Sequence, residues 1–130
     1  MITLKEVYLL QEREDLLFVA SELVKHYRLK SKVKFGTYGG DQGGYNWDTD
    51  TIMLNKYYPK VSEFIITVLH EIHHALQIQK YGRKKFMKKY QQASNMADLD
   101  GKDRYLANKW EKKAEILAKQ EYRKKWKNKF

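Results

Sequence analysis

The spacing of apolar residues predicts helices at both ends of the chain and a small sheet between them. Over residues 5–29, apolar side chains recur at intervals of three and four, the spacing of one face of an amphipathic helix. Residues 32–38 alternate polar and apolar like a half-buried strand, and the glycine-rich segment 39–44 is typical of a turn. Strands at residues 45–47 and Thr51–Asn55 would complete a three-stranded antiparallel sheet.

The second half of the chain is predicted to be helical. A long helix should run from Val61 to about residue 80, because its apolar residues form one stripe and Gly82 can end it. The segments that follow are a basic helix over residues 83–93, a loop over 95–101, a last helix from about Asp103, and an end over 123–130 that is expected to fray.

The predicted long helix carries the sequence His70-Glu71-Ile72-His73-His74, which contains the pattern HExxH. Two histidines at this spacing lie one helical turn apart, so both imidazoles can bind a single zinc ion, and Glu71 then lies beside the metal-bound water. At about 100° per residue, His70 and His74 fall opposite the apolar stripe. They are therefore expected to line a surface and not the core. The alternative for any helical histidine is a packed or solvated side chain that binds no metal.

A catalytic zinc ion needs a third protein ligand and an open position for water. The metzincin continuation of the motif is absent, because Gln77 and Lys80 stand where a glycine and a histidine are required. Glu111 is the best candidate, since on a helical wheel it is flanked by three alanines and could approach another helix closely. The alternative is a solvated glutamate paired with lysines of its own helix.

Two more residues are candidates for supporting positions around the metal. Glu115, one turn beyond Glu111, could accept the free N–H of His70 or His74 and so fix the tautomer of a ligand imidazole. A surface glutamate is the alternative. His73 is turned about 100° from His74, so it is expected in the cleft wall or beside a ligand, or to have no role.

The pattern His70-Glu71-x-x-His74 followed by Glu111-x-x-Ala-Glu115 resembles that of the gluzincin metallopeptidases. The small size of the chain is similar to that of the minigluzincins. The strand before the helix, and the sequence Glu-x-x-Ala-x-x-x-Ala after it, also resemble ImmA/IrrE-type peptidases of phages and mobile elements. The resemblance covers about residues 45–120. One departure is Glu115, where the thermolysin group usually has an aspartate.

This resemblance implies a small zincin-like fold and one zinc ion held by His70, His74 and Glu111. It implies that Glu71 is the general base of a metallopeptidase that hydrolyses peptide bonds, with a folded protein such as a repressor as one expected substrate. It further implies an edge strand that aligns the substrate backbone. The residues assigned to that edge strand are Thr51, Ile52, Met53, Leu54 and Asn55.

The amino-acid composition excludes several classes of protein function. The chain has no cysteine, which excludes disulfides, cysteine zinc sites and thiol catalysis. No segment has the length of a membrane span or the pattern of a secretory signal, so the protein is expected in the cytoplasm, that of the host if a phage encodes it. No linker or repeat divides the sequence, and residues 1–130 are expected to form one α+β domain with the sheet packed against the active-site helix.

The distribution of charge supports a second hypothesis. The net charge is +10, and all of the positive surplus lies in residues 80–130. Such a basic half favours an acidic partner or a nucleic acid, with the Lys124-Lys125-Trp126-Lys127 sequence offering phosphate contacts and base stacking. A solvated helix surface is the simpler interpretation. The alternatives to a peptidase are therefore a basic nucleic-acid-binding module and an inactive zincin scaffold.

Overall fold

The computed structural model of the protein describes residues 13–36 and 43–130. It contains both helices and a sheet, so the predicted α+β class is confirmed. In chain order the elements are α1 (Arg13–His26), β1 (Lys32–Gly36), β2 (Gly43–Asn46), β3 (Thr51–Asn55), α2 (Val61–Tyr81), α3 (Arg83–Leu99), α4 (Lys109–Glu121) and a π-helical turn (Tyr122–Trp126). The N-terminal part of the predicted first helix, over residues 5–12, lies outside the described residues.

The sheet is mixed, and the prediction of a purely antiparallel sheet is wrong. Its strand order is β1-β3-β2, with β2 antiparallel and β1 parallel to β3. The alternation of polar and apolar residues defines a strand but not its neighbours. Strand β3 takes the centre because Ile52 and Leu54 are fully buried and a central strand is covered most completely.

The central position of β3 overturns the assignment of Thr51–Asn55 as the edge strand. Both of its sides are paired within the described sheet, so its main chain cannot accept a further strand. Strand β2 lies at an edge instead, and it begins at Gly43, within the segment predicted to be a turn. A Cβ atom on Gly43 would lie 2.9 Å from Thr67 Cγ2 and 3.0 Å from the Met53 carbonyl oxygen. The glycine is therefore needed because β2 runs very close to α2.

Helix α2 is the structural centre of the fold, as its apolar stripe predicts. The stripe is buried against the sheet and α1, with Phe64, Val68 and Ile72 fully covered. The helix ends where predicted, because Gly82 adopts a φ of 82° that other residues rarely take, and its N–H donates to the Ile78 carbonyl oxygen at 2.7 Å. The motif helix is thus fixed on one side by the core.

The boundary between α3 and α4 differs from the prediction. Helix α3 continues through the predicted loop to Leu99, because Ala93 and Ala97 keep the four-residue spacing of a buried face. Helix α4 begins at Lys109 and not at Asp103. The Asp103 carboxylate accepts from two nearby main-chain N–H groups and closes a turn there.

The C-terminal end is packed against α1 as far as Trp126, where the sequence suggested fraying. The indole is 6% exposed, lies edge-on to His26 and donates its N–H to the Tyr27 hydroxyl at 3.3 Å.

Among the described residues, no helix has the combination of length and apolarity needed to span a membrane.

The central strand generates a stability prediction. Leu54→Ala should lower the free energy of unfolding by about 2–5 kcal/mol, because Leu54 is fully buried and the substitution leaves a cavity. Leu99→Ala is the matched control: its side chain is 83% exposed, so a change of less than about 0.5 kcal/mol is expected. Urea unfolding followed by circular dichroism measures both, and equal effects would contradict the assignment of β3 to the core.

Candidate metal centre

The face of α2 that carries His70 and His74 is covered by α4. The prediction that this face lines a surface needs a correction in degree: His70 and His74 lie outside the hydrophobic core and line a cleft, but Glu71 and His74 are only 6% and 5% exposed. The His70 side chain is 11% exposed to solvent. A helical wheel shows that two residues share a face, but it cannot show whether another helix packs on that face.

Three side-chain atoms that can bind a metal converge between the two helices. Oε1 of Glu111 lies 2.9 Å from Nε2 of His70 and 2.8 Å from Nε2 of His74. The two imidazole nitrogens lie 3.1 Å from each other. The structure therefore brings together the two histidines and the downstream glutamate that the sequence singled out as ligands.

The separations of these atoms are those of hydrogen-bonded partners and are slightly shorter than in a zinc site. Ligand atoms about 2.0–2.1 Å from a tetrahedral zinc ion stand about 3.3 Å apart, so these three atoms would have to move apart by a few tenths of an ångström to hold one. Two imidazoles and a carboxylate are a donor set that zinc favours. Glu71 forms a second possible ligand group with the two histidines, since ligand atoms of His70, Glu71 and His74 all lie within 4.8 Å of one another. Glu111 is the better candidate for the third ligand because its carboxylate is at hydrogen-bond distance from both imidazoles.

Gln77 fixes the orientation of His74. Its side-chain oxygen lies 3.0 Å from Nδ1 of His74, and its amide nitrogen donates to the Trp110 carbonyl oxygen at 3.3 Å. With its Nδ1 proton directed at Gln77, His74 turns Nε2 towards Glu111, where that nitrogen donates a hydrogen bond when it is protonated and could bind a metal ion when it is not. Burial alone would lower the pKa of His74, but the hydrogen bond and charge of Glu111, with smaller contributions from Glu71 and Gln77, raise it overall.

Tyr90 holds the other oxygen of Glu111. Its hydroxyl donates to Oε2 at 2.5 Å, which leaves Oε1 directed at the two imidazoles. Burial alone would raise the pKa of Glu111, but hydrogen bonds from His70, His74 and Tyr90 hold it well below its ordinary value. The pKa of Tyr90 is raised, first by burial and then by the hydrogen bond to Glu111.

The start of α4 is built so that Glu111 faces the histidines. The Asn108 side chain is fully buried and caps the helix, accepting from the Trp110 N–H at 2.8 Å. Its amide donates to the Tyr90 carbonyl oxygen and to Ser94 Oγ, which ties α4 to α3. Trp110 packs with Phe86 in a second small core. The position of Glu111 therefore depends on contacts made by its neighbours in sequence.

Glu71 is buried beside the histidines. Burial is the largest cause that raises its pKa; the neighbouring His74 and His70 oppose the rise, while Glu111 and Glu115 add to it. A carboxylate whose pKa is raised holds a proton more readily near neutral pH. This is the behaviour expected of a group that takes a proton from water and returns it.

Glu115 lies beside His70, as predicted, without the predicted hydrogen bond, and His73 lies away from the cleft wall. Glu115 Oε2 is 3.8 Å from Nδ1 of His70, which is nearby but beyond hydrogen-bond distance. His73 faces away from the metal position, with Nε2 2.8 Å from Glu121 Oε2, and Glu121 also accepts from the Tyr27 hydroxyl. Burial lowers the pKa of His73 despite the charge of Glu121. Its contacts join α2 to the end of α4 and to α1.

A cleft of about 760 Å³ opens onto the centre. Strand β2 forms one wall, and α2 and α4 form the others. Its lining residues are Gly43, Gly44, Tyr45, Trp47, Glu63, Ile66, Thr67, His70, Glu71, His74, Tyr90, Tyr105, Glu111, Glu115 and Lys119.

Sequence reasoning missed the roles of Gln77, Tyr90 and Asn108. Asn108 had a usable signal, because an asparagine just before an apolar helical stripe is a common N-cap. Gln77 lies one turn after His74 on the same helix, so its reach to that imidazole follows from helical spacing. No local signal identifies Tyr90, which is brought to Glu111 only by the packing of α3 on α4.

Comparison with protein-family models, curated proteins and solved structures finds no match to this chain.

The convergence of donor atoms generates a metal-binding prediction. Purified wild-type protein should take up about one zinc ion per chain, while His74→Ala and Glu111→Ala should lose it or bind it far more weakly. Metal analysis after dialysis against limiting zinc measures this. His26→Ala is the matched control, because His26 lies outside the cleft, against Trp126. Equal zinc content in all four proteins would exclude this site.

The contact of Tyr90 generates a second prediction at the same centre. Tyr90→Phe should weaken zinc affinity by about 10- to 100-fold, because Glu111 loses the donor that orients its carboxylate. Competition with a chelator of known affinity measures the change. Tyr57→Phe is the control, since Tyr57 is exposed and does not line the cleft. An affinity for zinc that is unaltered in Tyr90→Phe would show that the hydrogen bond does not support the ligand.

Proposed function

We propose that the protein is a zinc metallopeptidase of the gluzincin type, with His70, His74 and Glu111 as zinc ligands and Glu71 as the general base. The observation that carries the proposal is the convergence of two imidazole nitrogens and one carboxylate oxygen within 2.8–3.1 Å of one another, beside a buried glutamate in an open cleft. The ligands come from two helices distant in sequence, and chance surface histidines would not meet a buried glutamate in this way.

In this mechanism the residues around the metal position have separate roles. Zinc bound here would act as a Lewis acid on the scissile carbonyl and lower the pKa of water towards about 7. Glu71 accepts the proton of the attacking water and delivers it to the leaving amine. Gln77 and Tyr90 keep the ligand side chains oriented, so that they need not reorganise when substrate binds.

Strand β2 is the best candidate for holding the substrate backbone. It is an edge strand of the described sheet and lines the cleft, and an edge strand is what the resemblance expects to align the substrate backbone. An extended peptide that pairs with β2 would lie across the cleft beside Glu71. Main-chain hydrogen bonds would provide affinity there, and the side chains of the cleft would select among peptides.

The alternatives receive less support. Base stacking on Trp126 was the best argument for a nucleic-acid-binding module, but this indole is buried against α1 and donates its N–H to Tyr27. The remaining support is the basic charge of the C-terminal half. An inactive scaffold would have no need for Glu71 to be buried beside the histidines. Zinc, the protein substrate and the cytoplasmic location remain predictions.

The role of Glu71 generates the central functional prediction. With zinc bound, the wild-type protein should cleave peptides from a mixed library, and Glu71→Gln should lower kcat by about a hundredfold to ten-thousandfold because the water loses its base. Zinc content should be unchanged in this variant, since Glu71 is not a ligand. Product formation by mass spectrometry and metal analysis of the same samples measure both.

Asp100→Asn is the matched control for this experiment, because it removes one carboxylate on the exposed turn after α3 and should leave cleavage at the wild-type rate. Full activity in Glu71→Gln would remove the proposed mechanism. A wild-type protein that binds zinc and cuts no peptide would leave the scaffold alternative in its place.

A further inference from the structure

The cleft has the opposite charge to the rest of the protein. The chain carries a net charge of +10, yet the described residues that line the cleft include four glutamates and one lysine. Glu71 and Glu111 belong to the metal centre, where a bound divalent cation would balance them. The charges left to meet a substrate are those of Glu63, Glu115 and Lys119.

Glu115 and Lys119 are neighbours of opposite charge, four residues apart on α4, and the Glu115 carboxylate also lies 3.8 Å from Nδ1 of His70. Glu63 lies on α2, and no arginine, lysine or histidine of the described residues comes within 4.0 Å of its carboxylate. Among the described residues that line the cleft outside the metal centre, Glu63 is therefore the carboxylate without an ion-pair partner.

The position of Glu63 relative to the metal centre restricts what it can recognise. Glu63 and His70 are seven residues apart on α2, which is two turns or about 10 Å along the helix, and both face the cleft. Ile66 lines the cleft between them. A substrate side chain that starts next to the scissile bond and reaches Glu63 must pass over Ile66. It needs an aliphatic stem and a cationic end, the properties of lysine and arginine.

We propose that the cleft selects peptides with a lysine or arginine within two residues of the scissile bond, with the cationic group on Glu63 and the methylene stem on Ile66. This inference rests on the proposed peptidase function and adds the substrate class. Such a preference suits a cleft lined by several glutamates, because a basic peptide is attracted to it and an acidic one is repelled.

The experiment begins with the zinc-loaded wild-type protein and a random peptide library, in which mass spectrometry identifies the bonds that are cut. The best cleaved sequence is then made in three versions that differ at the basic position only: lysine, its uncharged analogue norleucine, and glutamate. The lysine peptide should have a kcat/KM about tenfold above that of the norleucine peptide, the size expected of a charge-assisted hydrogen bond. Rising sodium chloride should lower this ratio, because salt screens the ion pair.

Variants of Glu63 test whether this residue causes the preference for a basic side chain. The ratio between lysine and norleucine peptides should fall towards one in Glu63→Gln, and Glu63→Lys should favour the glutamate peptide over the lysine peptide. Asp100→Asn removes the same charge outside the cleft and should keep the wild-type ratio. Circular dichroism confirms that each variant is folded, and the salt dependence of the wild-type protein requires no variant.

The outcomes separate the two proposals. Cleavage without a preference for a basic residue, or a ratio that Glu63→Gln does not change, would overturn the assigned specificity while leaving the peptidase intact. A zinc-loaded protein that cuts none of the peptides would overturn the peptidase function, and the specificity with it.

Discussion

The contact between the Glu111 carboxylate and the two imidazoles of α2 is the constraint on which the rest of this structure depends. A buried carboxylate is costly unless each oxygen has a partner, and here His70 and His74 contact one oxygen while Tyr90 contacts the other. Losing one partner would leave a buried carboxylate oxygen or imidazole without its hydrogen bond. Helix α4 must therefore sit in one register on α2.

Several contacts outside the centre enforce that register. The Asn108 cap starts α4 one turn before Glu111, and the bond from Gln77 to the Trp110 carbonyl oxygen ties the same turn to the motif helix. At the far end of α4, Glu121 contacts His73. Two adjacent histidines of α2 therefore contact opposite ends of α4. His74 contacts Glu111 near its start, and His73 contacts Glu121 at its end. Helical geometry explains this, because neighbouring residues are turned about 100° from each other.

How far the sequence predicts the site depends on how local each feature is. His70, Glu71 and His74 lie within one turn and a half of one helix, so their spacing already fixes their relation. Glu111 could be singled out by its alanine neighbours. That it contacts His70 and His74 could be predicted only by assuming that the three residues share a zinc ion. Tyr90 could not be found, since its distance to Glu111 is set by how two helices pack. The same holds for the sheet: local alternation identifies the strands, but the parallel pairing of β1 with β3 is a long-range choice.

The close approach of β2 to α2 has a consequence for attempts to redesign the cleft. At Gly43 there is no room for a side chain, because Thr67 and the main chain of Met53 occupy the space where a methyl group would stand. At the next residue, Gly44, the nearest obstacle to a Cβ atom is the flexible end of the Met53 side chain at 3.4 Å. Two neighbouring glycines in the same wall therefore differ in their tolerance to substitution. Gly43 is needed for the close spacing between strand and helix, whereas a side chain introduced at Gly44 could change the shape of the cleft.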